Sequence, residues 1–219
     1  MENKKKEIRN ISGQIIRSDA ESRTVEGYAL LFNTPSDGLP FVETIKTGAL
    51  DGVVENSDVF ALLNHDQSRG ILARSKYGQG TLTLTVDEKG LRYLFEAPHT
   101  ALGDEVVENL RRGEIDESSF AFDVEEAEWS KDQDGTLRRT INKIKNLYDV
   151  SPVYNAAYSA TSVYMRCKEM ADEELKRMEE EQRKAEEEKR AEEEAKASEN
   201  AEQGPAASYY EEYEKQFNL

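Results

Sequence analysis

Apolar and polar residues alternate in several short stretches of the front part of the chain, which is typical of half-buried β-strands. Residues 81–86 alternate without interruption, and residues 118–124 place two phenylalanines and a valine on one side. Residues 59–63 are instead continuously apolar, as in a strand that is buried on both faces. Further strands are predicted at residues 14–17, 24–32, 41–45, 70–74, 91–96 and 136–150.

Two helices interrupt the predicted strands. Residues 48–56 allow a short helix. A longer one is predicted up to Arg112, with Thr100 as its N-cap and Gly113 at the position of a helix stop. Turn residues also separate residues 70–74, 81–86 and 91–96, which predicts a three-stranded meander. Residues 1–167 are therefore expected to form one β-rich α+β domain.

The last quarter of the chain has a different pattern. Residues 168–203 contain no aromatic residue, no β-branched residue, no Gly and no Pro, and nearly all of them favour helix. Met170, Leu175 and Met178 begin an apolar stripe that only alanines continue. The pattern predicts either a single solvated helix that links two regions or a helix that binds a helical partner. Residues 204–219 follow as a flexible aromatic tail peptide.

Charge narrows the range of functions. The 219 residues carry a formal net charge of −16. Residues 1–167 hold 20 basic and 27 acidic side chains, and residues 168–219 hold 9 and 18. This balance argues against a nucleic-acid partner, because a phosphate backbone is met by clustered positive charge. No apolar run approaches the length of a membrane-spanning helix, so we expect a soluble, intracellular protein without a membrane partner.

Few side chains could carry chemistry. Cys167 is the single cysteine, which excludes an internal disulfide and a cysteine-built zinc site, and no metal or cofactor is expected. Of the two histidines, His65 follows the apolar strand and His99 precedes the predicted helix, so His65 is the better candidate for a proton carrier. Ser118 and Ser119 begin a strand, and either one needs a histidine within hydrogen-bond reach to become a nucleophile.

Six segments, taken together and in this order, resemble the prohead maturation serine proteases of tailed bacteriophages. The resemblance covers the chain from about Ser12 to Val163. The segments are Gly-Tyr-Ala-Leu-Leu-Phe-Asn at 27–33, Phe-Val-Glu-Thr-Ile-Lys-Thr-Gly-Ala-Leu at 41–50, Leu-Leu-Asn-His-Asp at 62–66, Asp-Glu-Lys-Gly-Leu at 87–91, Gly-Glu-Ile-Asp-Glu-Ser-Ser-Phe-Ala-Phe at 113–122 and Leu-Tyr-Asp-Val-Ser-Pro-Val-Tyr-Asn-Ala-Ala-Tyr at 147–158.

The resemblance implies a fold and three site residues. The fold would be the β-barrel-like mixed sheet with surrounding helices that these enzymes share with the herpesvirus assembly protease. Ser119 would be the nucleophile, His65 the base and Asp149 the acidic residue that orients the imidazole. Neighbouring residues of a strand point to opposite faces, so only one of the two serines can face His65. The oxyanion donors stay open between backbone N–H groups near the nucleophile and the side chains of Arg111 and Arg112.

The resemblance also implies a function. Such a serine endopeptidase acts in the host cytoplasm inside the immature capsid, where it cuts the scaffolding segment from the major capsid protein and then cuts itself. Its partners would be the major capsid protein and its scaffolding segment, and self-association is left open. The alternative is a catalytically silent scaffold of the prohead, in which the charged helix does the binding. A cellular protease outside any virus is a third interpretation.

Overall fold

The computed structural model describes residues 6–11, 15–17, 22–36, 38–154 and 157–202. Contacts divide the chain into two compact units, Met1–Ala171 and Asp172–Leu219. The predicted tail peptide, residues 204–219, lies outside the described residues. The elements in chain order are β1 (Glu7–Ile11), β2 (Ile15–Arg17), β3 (Thr24–Leu31), β4 (Val42–Ile45), α1 (Val53–Asn56), β5 (Asp58–Ala61), a 3-10 turn (Gln67–Arg69), β6 (Ala73–Lys76), β7 (Gln79–Gly80), β8 (Leu82–Val86), β9 (Gly90–Glu96), α2 (Ala101–Arg112), β10 (Glu117–Lys131), β11 (Leu137–Val153) and α3 (Ala157–Glu202).

The strands form two sheets. The larger has the order β1-β10-β11-β5-β6-β7, and β4 also pairs with β11. The smaller has the order β2-β3-β9-β8. Strands β4 and β5 run parallel to β11 while β1 and β10 run antiparallel to their partners, so the larger sheet is mixed. The α+β prediction is confirmed, although the two sheets do not close into a barrel within the described ranges.

One hydrophobic core serves both sheets. Strands β3 and β9 of the smaller sheet contribute Leu30 and Phe95, and α2 contributes Val106. Strand β10 adds Phe120 and Phe122, whose rings stack with centroids 4.8 Å apart. Each fully buried aromatic or aliphatic side chain contributes about 1.5–3 kcal/mol to folding. The core therefore holds β10 firmly along the stretch that includes Ser119.

The predicted helix before Arg112 is confirmed with its ends. The Thr100 side chain accepts a hydrogen bond from the Gly103 backbone N–H at 3.2 Å. Gly113 ends the helix with a φ of 76°, a backbone conformation that glycine adopts without strain. The shorter helix is confirmed only as α1, because residues 47–52 form turns instead.

The predicted meander is wrong. Strand β6 pairs with β5 and β7 in the larger sheet, whereas β8 and β9 pair in the smaller one. The reason is a tight turn at Tyr77 and Gly78, whose φ values are 54° and 77°, which returns the chain along β6 as β7. Gly80 has a φ of 143°, and a Cβ there would lie 2.1 Å from the Arg74 carbonyl oxygen. Strand β7 ends at this glycine, and the chain then enters the smaller sheet as β8.

Helix α3 begins at Ala157, eleven residues before the predicted start at residue 168. Its early part packs in the first unit, where Cys167 and Ala171 are buried. Residues 179–198 are exposed along the whole circumference of the helix. The ion pairs there join Arg183 to Glu187 at 3.9 Å and Arg190 to Glu194 at 3.0 Å.

Candidate active site

Three neighbouring strands bring the predicted site residues together. Ser119 lies on β10, and Asp149 lies on β11 opposite Ala121 of β10. On the other side of β11, Asp149 is in register with Phe60 of β5. Because β5 and β11 are parallel, the loop that follows β5 emerges beside the last residues of β11. That loop carries His65.

His65 bridges the other two residues. Its Nε2 lies 2.5 Å from Ser119 Oγ, and its Nδ1 is hydrogen-bonded to Asp149 Oδ1. Ser119 is fully buried, the Asp149 side chain is 2% exposed and the His65 side chain is 12% exposed. The order serine, imidazole, carboxylate is that of a hydroxyl nucleophile with its general base and orienting acid. His99, the other histidine, is exposed just before α2.

Ser118 lies on the opposite side of β10. Its Oγ is 2.8 Å from the hydroxyl of Tyr93 on β9, and both side chains are buried. Burial raises the pKa of Tyr93 well above its usual value, so the phenol keeps its proton. Ser118 therefore belongs to the contact between the two sheets, while Ser119 faces His65.

The loop that carries His65 has an unusual backbone. Asn64 and His65 have φ values of 55° and 60°, in the left-handed region that few residues other than glycine and asparagine favour. Two hydrogen bonds hold this conformation: the Asn64 N–H donates to the Pro152 carbonyl, and the Tyr154 N–H donates to Asn64 Oδ1, both at 3.1 Å. These bonds tie the loop to the end of β11 and orient the imidazole toward β10.

Two residues that sequence reasoning missed contact the Asp149 carboxylate. Ser151 Oγ donates to Oδ1 at 2.9 Å and also lies 3.3 Å from His65 Nδ1. Lys6 Nζ donates to Oδ2 at 2.9 Å. Ser151 had a signal in the sequence, since residues two apart on a strand share a face. Lys6 had none, because it lies more than a hundred residues away in the chain.

These contacts set the charge state of Asp149. Burial alone would raise the pKa of its carboxyl, but the hydrogen bond and charge of His65, followed by those of Lys6, lower that pKa below its usual value. Asp149 is therefore ionised at neutral pH. An ionised carboxylate accepts a hydrogen bond from Nδ1–H, and Nε2 is the imidazole nitrogen that faces the serine.

A buried ionic cluster lies next to the site. We define it as Glu7 and Arg9 of β1, Glu43 of β4 and Arg139 of β11. Arg9 Nε donates to Glu43 Oε1 at 2.5 Å, and Arg139 Nη1 donates to Glu43 Oε2 at 2.8 Å. Arg139 also binds Glu7, at 2.7 Å. The cluster fastens β1 to the sheet, and the Arg9 carbonyl oxygen accepts a hydrogen bond from Ser119 Oγ at 2.9 Å.

Arg111 and Arg112 are the two side chains that the sequence offers as oxyanion donors. Arg111 and Arg112 are exposed at the end of α2, and Arg112 pairs with Glu114 at 3.1 Å. Among the described residues, no group of three or more His, Cys, Asp or Glu side chains could hold a metal ion. No helix in the described ranges is long and apolar enough to cross a membrane.

The comparisons with known proteins identify the family of the chain. The family model of the caudovirus prohead serine protease matches residues 10–176, which include Ser119, His65 and Asp149. The chain belongs to the caudovirus prohead serine protease family. The resemblance seen in the sequence is thereby confirmed. Among solved structures, the capsid assembly protease gp21 of bacteriophage T4 matches with 14% identity and a TM-score of 0.41, covering 68% of this chain and 97% of the T4 chain. No curated protein matches the chain.

Proposed function

We propose that this prohead protease is a serine endopeptidase that cuts the scaffolding segment from its major capsid protein, and then cuts itself, inside the immature capsid in the host cytoplasm. The single observation that carries this proposal is the 2.5 Å separation between Ser119 Oγ and His65 Nε2 in a member of this family. At that distance a neutral imidazole can take the hydroxyl proton directly, without a bridging water.

The three residues divide the proposed reaction among them. Ser119 Oγ attacks the carbonyl carbon of the substrate peptide, and His65 Nε2 accepts the hydroxyl proton. The peptide C–N bond then breaks, and His65 delivers that proton to the leaving amine. Water attacks the resulting ester by the same route and releases the second product. Asp149 holds the imidazole through Nδ1–H and stabilises the imidazolium that forms in both steps.

Co-expression with the major capsid protein tests the proposal. We expect the wild-type chain to shorten the capsid protein and itself, and Ser119→Ala to leave both at full length. Ser118→Ala is the matched control, since its hydroxyl lies on the opposite face of β10 and contacts Tyr93. Intact-mass spectrometry of both proteins gives the products, and circular dichroism shows whether each variant folds.

Two results would contradict the proposal in different ways. Trimming of the capsid protein by Ser119→Ala but not by Ser118→Ala would mean that the nucleophile is Ser118. A folded wild-type chain that enters proheads and leaves both proteins intact would favour the silent scaffold instead.

A further inference from the structure

The segment that follows His65 is fastened to helix α2. It forms the 3-10 turn Gln67–Arg69, which is capped by the side chain of Asp66. The guanidinium of Arg69 then binds Glu105 of α2, with 2.5 Å between Arg69 Nη2 and Glu105 Oε2. Helix α2 therefore holds the part of the loop that comes after the imidazole.

The same carboxylate holds the part of the loop that comes before the imidazole, through Tyr154. Glu105 Oε1 accepts a hydrogen bond from the Tyr154 hydroxyl at 2.7 Å, and that hydroxyl accepts one from Asn109 Nδ2 at 2.9 Å. The Tyr154 N–H in turn donates to Asn64 Oδ1, one residue before His65. Glu105 therefore links both sides of the imidazole to one helix.

The charge states of these groups keep the contacts formed at neutral pH. Hydrogen bonds from Tyr154 and then from Arg69 lower the pKa of the Glu105 carboxyl below its usual value. Burial, followed by the hydrogen bond to Glu105, raises the pKa of Tyr154 to about 12. The carboxylate is therefore ionised while the phenol keeps its proton, so the phenol and the guanidinium both donate to a charged acceptor.

The backbone at His65 depends on support from its surroundings. Its φ of 60° lies in the left-handed region, where a non-glycine residue persists only if neighbouring contacts hold it. Backbone N–H groups of Leu62 and Asn64 donate to β11 and hold the side before His65. Arg69 and its partner Glu105 hold the side after it. A displacement of about 1 Å at a catalytic group can cost about 10²-fold in rate, so this support matters for the reaction.

We propose that Glu105 is a positioning residue of the protease, which from α2 keeps the imidazole of His65 within reach of Ser119. It does so by binding Arg69 and Tyr154 on the two sides of the loop. The proposal rests on the proposed function, since it concerns the same base. The Arg69 and Glu105 side chains are 38% and 34% exposed, and an ion pair this exposed adds little to stability. The loss of Glu105 should therefore affect the reaction rate more than folding.

The rate of self-cleavage of the full-length chain tests the proposal. We expect Glu105→Ala to lower that rate about tenfold, since the base then spends time in positions from which it cannot take the serine proton. Glu105→Gln keeps an acceptor for the Tyr154 hydroxyl and should lose less. Glu108→Ala removes an exposed carboxylate from the same helix, so it is the matched control and should cleave at the wild-type rate.

The proton NMR spectrum of the imidazole separates positioning from a merely structural role. The spectrum is recorded on Ser119→Ala, which is expected to stay at full length. The Nδ1–H of His65 donates to the Asp149 carboxylate and should give a signal far downfield that is absent in His65→Ala. We expect added Glu105→Ala to weaken or shift this signal while the unfolding temperature changes by only a few degrees. Added Glu108→Ala should leave both unchanged.

Two results would overturn the positioning role of Glu105. The first is self-cleavage of Glu105→Ala at the wild-type rate with an unchanged imidazole signal. The second is a loss of rate that only follows the fraction of unfolded protein, in Glu105→Gln as well as in Glu105→Ala. Circular dichroism and thermal unfolding of both variants give that fraction.

The proposed function fails in a different and recognisable way. If positioning is wrong but the function is right, wild-type and Glu105→Ala chains cleave themselves at equal rates, and Ser119→Ala stays intact. If the proposed function itself is wrong, the folded wild-type chain does not cleave itself. It then also reacts no faster than Ser119→Ala with a fluorophosphonate probe, which labels activated serines without a known substrate sequence.

Discussion

At the scale of single residues, the Asp149 carboxylate decides how well the proposed base works. It accepts hydrogen bonds from His65, Ser151 and Lys6, so its charge is fixed in place beside the imidazole. We expect Asp149→Asn to lower the rate of self-cleavage by about 10²-fold or more, because an amide can hold the wrong tautomer of the imidazole. The loss should still be smaller than that in Ser119→Ala or His65→Ala. A loss equal to theirs, together with unfolding, would indicate a structural role.

Ser151 is expected to act as a positioning residue. Its hydroxyl donates to Asp149 Oδ1 from the same face of β11. Removing one such bond to a charged acceptor costs about 1.5–3 kcal/mol, so Ser151→Ala should slow self-cleavage by about tenfold or more. It should also move the acidic limb of the pH profile, because the Ser151 hydroxyl contacts both the Asp149 carboxylate, at 2.9 Å, and the imidazole of the proposed base, at 3.3 Å. Ser130→Ala, at an exposed position on β10, is the control and should change neither quantity. An unchanged pH profile in Ser151→Ala would refute the positioning role.

The lowered pKa of Asp149 predicts a pH dependence of stability. A carboxyl whose pKa is lower in the folded state than in the unfolded state stabilises the folded state at pH values above its usual pKa of 3.8. This stabilisation is lost as the pH falls through the lowered pKa of the folded state. At neutral pH the wild-type protein should therefore have a higher free energy of unfolding than Asp149→Asn. The difference between the two proteins should shrink below pH 3.8. Denaturant unfolding of both proteins across this range gives the difference. A gap that widens toward acid would mean that the pKa is raised instead.

At the scale of elements, the loop after β5 sets the direction of the imidazole. Asn64 adopts a left-handed backbone and accepts a hydrogen bond from the Tyr154 N–H. Asn64→Ala loses the hydrogen bond and places a residue that disfavours the left-handed backbone at this position. It should therefore destabilise the domain by about 1–3 kcal/mol. Asn64→Gly restores the backbone freedom alone, so its stability should lie between that of the wild-type protein and that of Asn64→Ala. Thermal unfolding and self-cleavage of the three proteins check this order. Equal stability of the Ala and Gly variants would mean that the backbone conformation costs nothing.

Sequence patterns predicted elements well where local chemistry decides them. The ends of α2 follow from Thr100 and Gly113, which act within one turn of the helix. The meander was wrong because residues 70–74, 81–86 and 91–96 carry no local sign of which sheet they join. That choice is made by the tight approach of Gly80 to the β6 backbone.

The candidate site was predictable in its residue types and not in its surroundings. Position along the chain favoured His65 and left Ser118 and Ser119 open. The family resemblance chose Ser119 and added Asp149, since spacing along the chain says nothing about distance in the fold. Their proximity depends on the register of β10 and β5 against β11. The Arg9 contact could not be foreseen, because a backbone carbonyl has no signature in the sequence.

At the scale of the whole molecule, the chain combines a compact first unit, Met1–Ala171, with a charged helical segment that continues from Asp172. All three candidate residues lie in the first unit. We expect a chain that ends after Ala171 to react with a fluorophosphonate probe at the same rate as the full chain. If the charged segment binds the scaffold, the shortened chain should enter proheads in fewer copies. Quantitative mass spectrometry of purified proheads counts the copies. An unchanged number of protease copies per prohead would refute a binding role for this segment.

The most direct test of the central assignment is to map where a fluorophosphonate probe attaches after prolonged reaction with the full-length protein. Tandem mass spectrometry distinguishes adducts on the neighbouring residues Ser118 and Ser119. We predict a single adduct on Ser119, which is lost in His65→Ala because the proton acceptor 2.5 Å from the hydroxyl is gone. An adduct on Ser118, or one on Ser119 that forms as fast without the imidazole, would contradict the assignment.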